Sequence, residues 1–384
     1  MPANPDLRSS ITSLPSIENV ELFHVRLPLQ RPFRTSFGRE AHRDSVLIRL
    51  CTPHGDGWGE APVGRYPRYT HESSETAWYV LSEFLGPALI RTNPTEFNAW
   101  SEATPFIRGH RMARSAAVMA LVDLAAKEQN ESLGTFYGAE RNEARAGISI
   151  GIKDDREHLL DQIDEALDQG YPRIKVKIEP GADLDLLRDV RDAFPDVDLM
   201  VDGNGGYSAR DIDHLEAIDP FDLMMLEQPF SPRDLTSHAE LQNRIETPIC
   251  LDETVETLGD AEVAQQLSAC RIINIKSPRL GGPVHALDVY RFCDKHQMGV
   301  FCGGLLETGI GRAHNVGLAS LPNFELPGDL SASHRYFPRD IVDPEFELTD
   351  RGTLKLPDGT SGIGVTPDLD RIRRHAERKA RYNN

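Results

Sequence analysis

Five short apolar runs each end on an ionisable residue, and the runs recur at almost constant spacing. Lys177, Asp202, Glu227 and Asp252 follow one another at 25-residue intervals, Lys276 comes 24 residues later, and Phe301 extends the series by 25. Charge at the end of runs such as RIKVK, DLMVD and PICLD is costly unless it meets opposite charge or does chemistry. Asp202, Glu227 and Asp252 offer hard oxygen ligands to a divalent cation, Mg²⁺ in the first place with Mn²⁺ able to substitute. Such an ion offsets their mutual repulsion and their loss of water, and leaves positions open for substrate oxygens. Asn204 lies two residues past Asp202, and Glu253 beside Asp252 starts in a different direction, which suits a supporting role. In IKVKI the period of two puts Lys175 and Lys177 on one strand face. Lys276 follows the carboxylates in the series, so two lysines flank whatever the cation holds. A lysine near a bound cation or a second ammonium loses preference for its charged form and becomes a usable base. Lys177 is read as the base, Lys175 as the neighbour that tunes it and contacts a substrate carboxylate, and Lys276 as the opposing acid or base. The chemistry is removal of a proton next to a carboxylate whose growing charge the cation stabilises. A proton returned on the other face racemises the centre; a leaving group in place gives β-elimination.

The spacing is that of one βα unit. AGISI, RIKVKI, VDLMVDG, DLMMLEQ, TPICLDE, RIINIKS and GVFCGG read as strands, each separated from the next by room for a helix, which requires a parallel sheet. In a closed barrel such strand ends converge at the C-terminal mouth. An open dinucleotide-binding sheet is the rival, but neither GxGxxG nor GxxxxGK[ST] occurs. The glycine pairs at 205–206, 281–282 and 303–304 follow the charged ends and read as tight turns or as places where a ligand nears the backbone. Ahead of this region, VELFHVRLPL and DSVLIRLCTP read as strands, followed by three helical segments, the last being ARSAAVMALVDLAAKEQN. The expected fold is therefore α/β, a modified TIM (β/α)-barrel with an α+β capping domain. Residues 1–16 are expected to be loose, 17–144 to form the cap, 145–340 the barrel, and 341–384 a C-terminal segment.

The motifs PFRTSFG, WGEAP, GHRMA, GISIGI, YPRIKVKIEPG, VDGNGGY, LEQPF, PICLDE, NIKSPRLGG, CGGLLETGIGRAHN and LPGDLSAS run through nearly the whole chain. On them the chain resembles the enolase superfamily, in its muconate-lactonizing-enzyme subgroup, and within that the o-succinylbenzoate synthase / N-succinylamino acid racemase family. The resemblance implies Lys177 and Lys175 as the KxK base and its partner, Asp202, Glu227 and Asp252 as metal ligands, and Lys276 as the opposite lysine. It implies that the C-terminal segment completes the cap, and that the cap closes over the barrel mouth. Phe33, Arg34 and Phe37 would come from its first loop and Gly64, Arg65 and Tyr66 from its second. The activity it implies is dehydration of 2-succinyl-6-hydroxy-2,4-cyclohexadiene-1-carboxylate to o-succinylbenzoate, a menaquinone-pathway step. The alternative is racemisation of N-succinyl or other N-acyl amino acids; muconate cycloisomerisation and dipeptide epimerisation rank lower. The chain departs from relatives at DGNGGY, where DANxAY is common, and at NIKSPRLGG, where NIKPGRVGG is common.

Ser149, ending the first barrel strand, is a candidate substrate contact. Glu307 and Arg312 are read as an ion pair or a substrate rim, His110 and His314 as satisfied structural histidines, and His238 as exposed on a charged helix. The 60 acidic against 42 basic residues give a formal charge of −18, and no basic stripe interleaved with aromatics occurs, which argues against a nucleic-acid partner. No run of 18 apolar residues and no signal-peptide pattern occur, and the five cysteines are scattered without a CxxC pair. The expected setting is cytoplasmic and off the membrane, the partners a small carboxylate substrate and further copies of the chain in a homo-oligomer.

Overall fold

The computed structural model describes residues 6–35, 38–152 and 155–384. Three antiparallel strands open it: β1 (Asn19–Thr35), β2 (Gly38–Thr52) and β3 (Gly55–Ala61). After a helical region come seven parallel strands, β4 (Ile148–Ile150), β5 (Arg173–Lys177), β6 (Asp198–Asp202), β7 (Leu226–Glu227), β8 (Ile249–Leu251), β9 (Ile272–Ile275) and β10 (Gly299–Cys302). Each of the seven expected barrel strands is present, and spatial order follows chain order from β4 to β10. The last strand, β11 (Ala376–Asn383), pairs antiparallel with β1, so the first sheet runs β11-β1-β2-β3.

The parallel sheet does not close strand to strand. An irregular segment takes the eighth position: Asp329 N donates to Cys302 O on β10 at 2.8 Å, and Gly147 N, just before β4, donates to Leu330 O at 3.4 Å. Ser331 Oγ reaches Gly147 O at 3.2 Å. The fold is thus the expected barrel variant with seven strands and a bonded gap. Register brings the charged ends level, because Lys177 pairs with Asp202 and Asp202 with Glu227 across β5, β6 and β7.

The Ala-rich helix α1 (Arg111–Glu128) is buried along most of its length, as its near-continuous small and apolar sequence requires. It lies directly on β3: a Cβ at Gly59 would stand 1.9 Å from Ala116 O, so only glycine permits the approach. Glu72 accepts from Met112 N and Ala113 N at the start of α1, at 2.8 and 3.1 Å. Glu60 on β3 crosses to the start of α2 (Gly309–Ala319), accepting from Thr308 Oγ1 at 2.7 Å and Gly311 N at 3.0 Å. These carboxylates satisfy amide donors that a helix start leaves over.

Residues 6–16 are packed, not loose: Leu7, Ile11 and Leu14 are buried, and Arg8 pairs with Asp288 at 2.5 Å. Their polar composition hid an apolar spacing of three to four residues. All five cysteines are free. Among the described residues no helix is long and apolar enough to cross a membrane.

Candidate active site

The ends of β5 to β9 bring Lys175, Lys177, Asp202, Glu227, Asp252 and Lys276 to one mouth. Lys177 Nζ meets Asp202 Oδ2 at 2.5 Å and Lys276 Nζ meets Asp252 Oδ2 at 2.7 Å. Lys175 Nζ lies 2.8 Å from Glu227 Oε2 and 3.7 Å from Asp202 Oδ2, and also pairs with Asp329. Burial alone would discharge Lys175, but Asp329, Glu227 and Asp202 outweigh it and raise its pKa. Burial likewise opposes the Lys276 charge, while Asp252 and Tyr69 hold its pKa well above the ordinary lysine value. Lys177 and Lys276 each have one carboxylate partner among the described residues, Asp202 and Asp252.

Desolvation and the neighbouring carboxylates push Glu227 up to about 7, and burial with Asp252 and Asp202 pushes Glu253 up to about 8. Asp252 goes the other way: against its burial, Lys276 and Arg279 hold it at about 2. Glu253 Oε1 accepts from Asn204 Nδ2 at 3.1 Å, while its Oε2 is buried with no hydrogen-bond partner. Three carboxylates from successive strands, oxygen donors only, and a buried unpartnered carboxyl oxygen beside them fit a small hard dication. In this structure a lysine stands on each of the three carboxylates, Lys177 on Asp202, Lys175 on Glu227 and Lys276 on Asp252.

A group with metal-ligand spacing occurs at His24, Asp44 and Glu377 on the cap. There Arg26 and Arg65 lie 3.5 to 3.9 Å from the same two carboxylates, which already neutralises them. We read that group as an ion-pair network tying β11 to the second cap loop.

Several residues at the mouth were not assigned from sequence. Asp329 comes from the irregular eighth position and pairs with Lys175 and, at 3.0 Å, with Arg173. Asn274 lies two residues before Lys276 on β9 and donates to Glu227 Oε1 at 2.6 Å; the period of two that paired the β5 lysines applies here too. Arg279, one helical turn past Lys276, pairs with Asp252. Tyr69, from the second cap loop, donates to Asp252 Oδ1 at 2.9 Å, and its ring lies 4.5 Å from Lys276 Nζ. Nothing in its local sequence separates it from Tyr66. A Cβ at Gly303 would stand 2.2 Å from Asn274 Oδ1 and 2.5 Å from Lys276 Cε, so this glycine makes room for two side chains of the mouth.

The cavity over the mouth is lined by Ser149, Lys175, Lys177, Asn204 and Lys276 below and by Phe33, Tyr66 and Tyr69 above. Ser149 Oγ is buried there without a partner. Arg34 lies outside the lining and is exposed; its carbonyl accepts from Ile152 N at 3.0 Å. Phe37 lies outside the described residues. Two expectations need correction. Glu307 and Arg312 do not form a carboxylate ion pair: Arg312 pairs with Asp340 at 3.4 Å, and Glu307 Oε2 accepts from Leu305 N at 2.6 Å, away from the cavity lining. His238 is fully buried, not exposed, with Nδ1 on Asp234 O at 2.6 Å, and burial lowers its pKa to about 4. Its helix turns the histidine inward while its charged neighbours face out. His314 is buried and bonded to Tyr137 Oη at 2.9 Å, as a structural histidine should be.

Two family models match the chain, the mandelate racemase / muconate lactonizing enzyme N-terminal domain over residues 17–138 and the enolase C-terminal domain-like model over residues 158–371. The chain is 44% identical to an N-succinylamino acid racemase of an Amycolatopsis species, over 91% of this chain and 95% of that one. It is 42% identical to an o-succinylbenzoate synthase of Geobacillus kaustophilus, over 94% and 96%. A crystal structure of an enolase superfamily member from Listeria innocua superposes with a TM-score of 0.90 at 38% identity, covering 96% of this chain and 99% of that one.

Proposed function

The chain belongs to the enolase superfamily, in its mandelate racemase / muconate lactonizing enzyme group, and is a metal-dependent enzyme acting on carboxylates; from that premise we propose that it dehydrates 2-succinyl-6-hydroxy-2,4-cyclohexadiene-1-carboxylate to o-succinylbenzoate. Asp202, Glu227 and Asp252 would hold Mg²⁺, with Glu253 and Asn204 supporting them. When bound, the ion supplies positive charge to the substrate carboxylate as the electron pair of the broken C–H bond moves toward it. Lys177 takes the α-proton at Nζ and then gives that proton to the leaving hydroxyl as the ring C–O bond breaks, so that water departs and the ring becomes aromatic. Lys175 keeps its charge beside the base, and Lys276 stands as a fixed cation on the opposite side.

The observation that carries this reading is the inequality of the lysines. Lys175 is held by Asp202, Glu227 and Asp329, and Lys276 by Asp252 and by the Tyr69 ring 4.5 Å away, whereas among the described residues Lys177 is held by Asp202 alone. One base opposite a fixed cation suffices for dehydration, while racemisation asks Lys276 to exchange a proton as well. Racemisation of N-succinyl or other N-acyl amino acids is the second reading, favoured by the 44% identical relative.

The test is turnover of the purified protein with Mg²⁺ on the cyclohexadiene carboxylate and on N-acyl amino acids, with α-proton exchange followed in D₂O. Fast dehydration with slow racemisation supports the proposal, and the reverse moves the assignment to the second reading. Lys177→Ala should lower both reactions and the exchange by about 10²–10⁴-fold. Lys276→Arg keeps charge but makes a poor base, so it should spare dehydration more than racemisation. Near-wild-type turnover by Lys177→Ala would remove Lys177 as the base.

A further inference from the structure

The cavity has a second cationic end that the proton chemistry does not use. Arg68, on the second cap loop, lines the same cavity as Lys175, Lys177 and Lys276. Its guanidinium stacks over the Tyr66 ring at 5.0 Å and lies against Gly38 of the first cap loop, where an added Cβ would stand 2.3 Å from Nη1. The group therefore sits where the two cap loops meet. The other charged groups of the roof are committed. Arg43 pairs with Glu40 at 3.3 Å and donates to Pro62 O, and Glu72 accepts from the first amides of α1. Among the described residues no carboxylate pairs with Arg68, although it stands in a chain with 60 acidic residues. A planar, permanently charged fork facing a ligand cavity without a counter-ion is suited to receive a carboxylate from that ligand.

We infer that Arg68 binds the terminal carboxylate of the substrate's acyl chain and thereby selects dicarboxylates over their uncharged analogues. The inference rests on the reading of the site given above, and holds for either reaction, because the succinyl cyclohexadiene and the N-succinyl amino acids both carry a reacting carboxylate and a distal one. The lysine end of the cavity takes the first and the cap end the second. Tyr66 keeps the guanidinium plane in place, and Gly38 leaves it room.

The experiment is calorimetric binding, with Mg²⁺ present, of o-succinylbenzoate and of 2-butanoylbenzoate, in which a methyl group replaces the distal carboxylate. The wild type should bind the first about tenfold more tightly, since one charge-assisted pair near solvent is at stake. Arg68→Gln should bring the two affinities to within about twofold by weakening o-succinylbenzoate alone, and Arg68→Lys should keep part of the difference. Raising the salt should narrow the gap in the wild type and leave Arg68→Gln unchanged. An undiminished preference in Arg68→Gln, or equal weakening of both ligands, overturns the role of Arg68. Failure of the wild type to bind either ligand overturns instead the reading of the site on which it rests.

Discussion

Asp329 carries more of the mouth's charge balance than its place in an irregular segment suggests. It pairs with Lys175 and with Arg173, both buried. Lys175 would retain Glu227 without it, but Arg173 would be left with backbone carbonyls at Pro327 and Ile148 alone. Breaking a buried pair leaves an uncompensated charge in a medium that solvates it poorly, at about 3–5 kcal/mol. Asp329→Asn, which keeps size and shape, should therefore lower the denaturant-unfolding free energy by about that amount. A loss below about 1 kcal/mol would show that the cations are satisfied by other means. The ligand and base candidates were legible in the sequence because each ends an apolar strand, where a charge is conspicuous. Asp329 was not, since LPGDLSAS has no period against which a charge stands out. Tyr69 was hidden for a related reason: a tyrosine in a loop is ordinary until the fold lays that loop over Asp252. His238 shows the converse, because charged neighbours on a short helix masked the one position that faces inward.

At the scale of elements, what packs the cap's sheet on its long helix is close approach of backbone. Gly59 on β3 leaves no space for a methyl group beside Ala116 O on α1, and both elements are held by further contacts, Glu60 to α2 and Asp123 to Trp58 N at 2.9 Å. Gly59→Ala must push β3 and α1 apart, and overpacking of this kind costs about 1–3 kcal/mol or more. Gly259, in the first turn of the helix Leu258–Gln266, is the control: it is exposed, its φ is not positive, and the nearest atom to an added Cβ is Thr257 Oγ1 at 3.6 Å. Gly259→Ala should stabilise by about 0.5–1 kcal/mol through helix propensity and a less flexible unfolded chain. Thermal unfolding of the two variants should thus move in opposite directions; a neutral Gly59→Ala would mean that the packing yields easily. The same scale explains what the sequence showed of the fold. Seven strands stand out as apolar runs because both faces of a parallel sheet are covered. The eighth position lacks a strand altogether, and β11 reads AERKARYN, whose mostly exposed side chains at a sheet edge give charge and little apolar pattern.

The whole molecule carries 18 more acidic than basic side chains, and folding confines that excess to a compact body. Two effects of salt then oppose one another. Screening weakens exposed ion pairs such as Arg31 with Glu165 and Arg244 with Asp213, but each of these contributes only about 0–1 kcal/mol. It also weakens repulsion among the surplus carboxylates, which acts between many pairs and reaches farther, with a screening length of about 10 Å at 0.1 M falling to about 3 Å at 1 M. The buried pairs at the mouth are screened least, so they contribute little to the difference. Repulsion should therefore prevail, and the thermal midpoint at neutral pH should rise by several degrees between about 0.05 and 1 M KCl. The sign can be separated from general salting-out by repeating the series near the isoelectric point of about 5.2, where the net charge vanishes. Near that pH the midpoint is set by opposing titrations: buried His238 and His314, with pKa values held near 4, favour the unfolded chain as pH falls below about 6.5, whereas Glu227 and Glu253, pushed up to about 7 and about 8, favour the folded one. The KCl dependence, however, should nearly disappear. A salt response of equal size at both pH values would assign the effect to hydration rather than to charge, and a midpoint that falls with KCl at neutral pH would mean that the surface ion pairs outweigh the surplus.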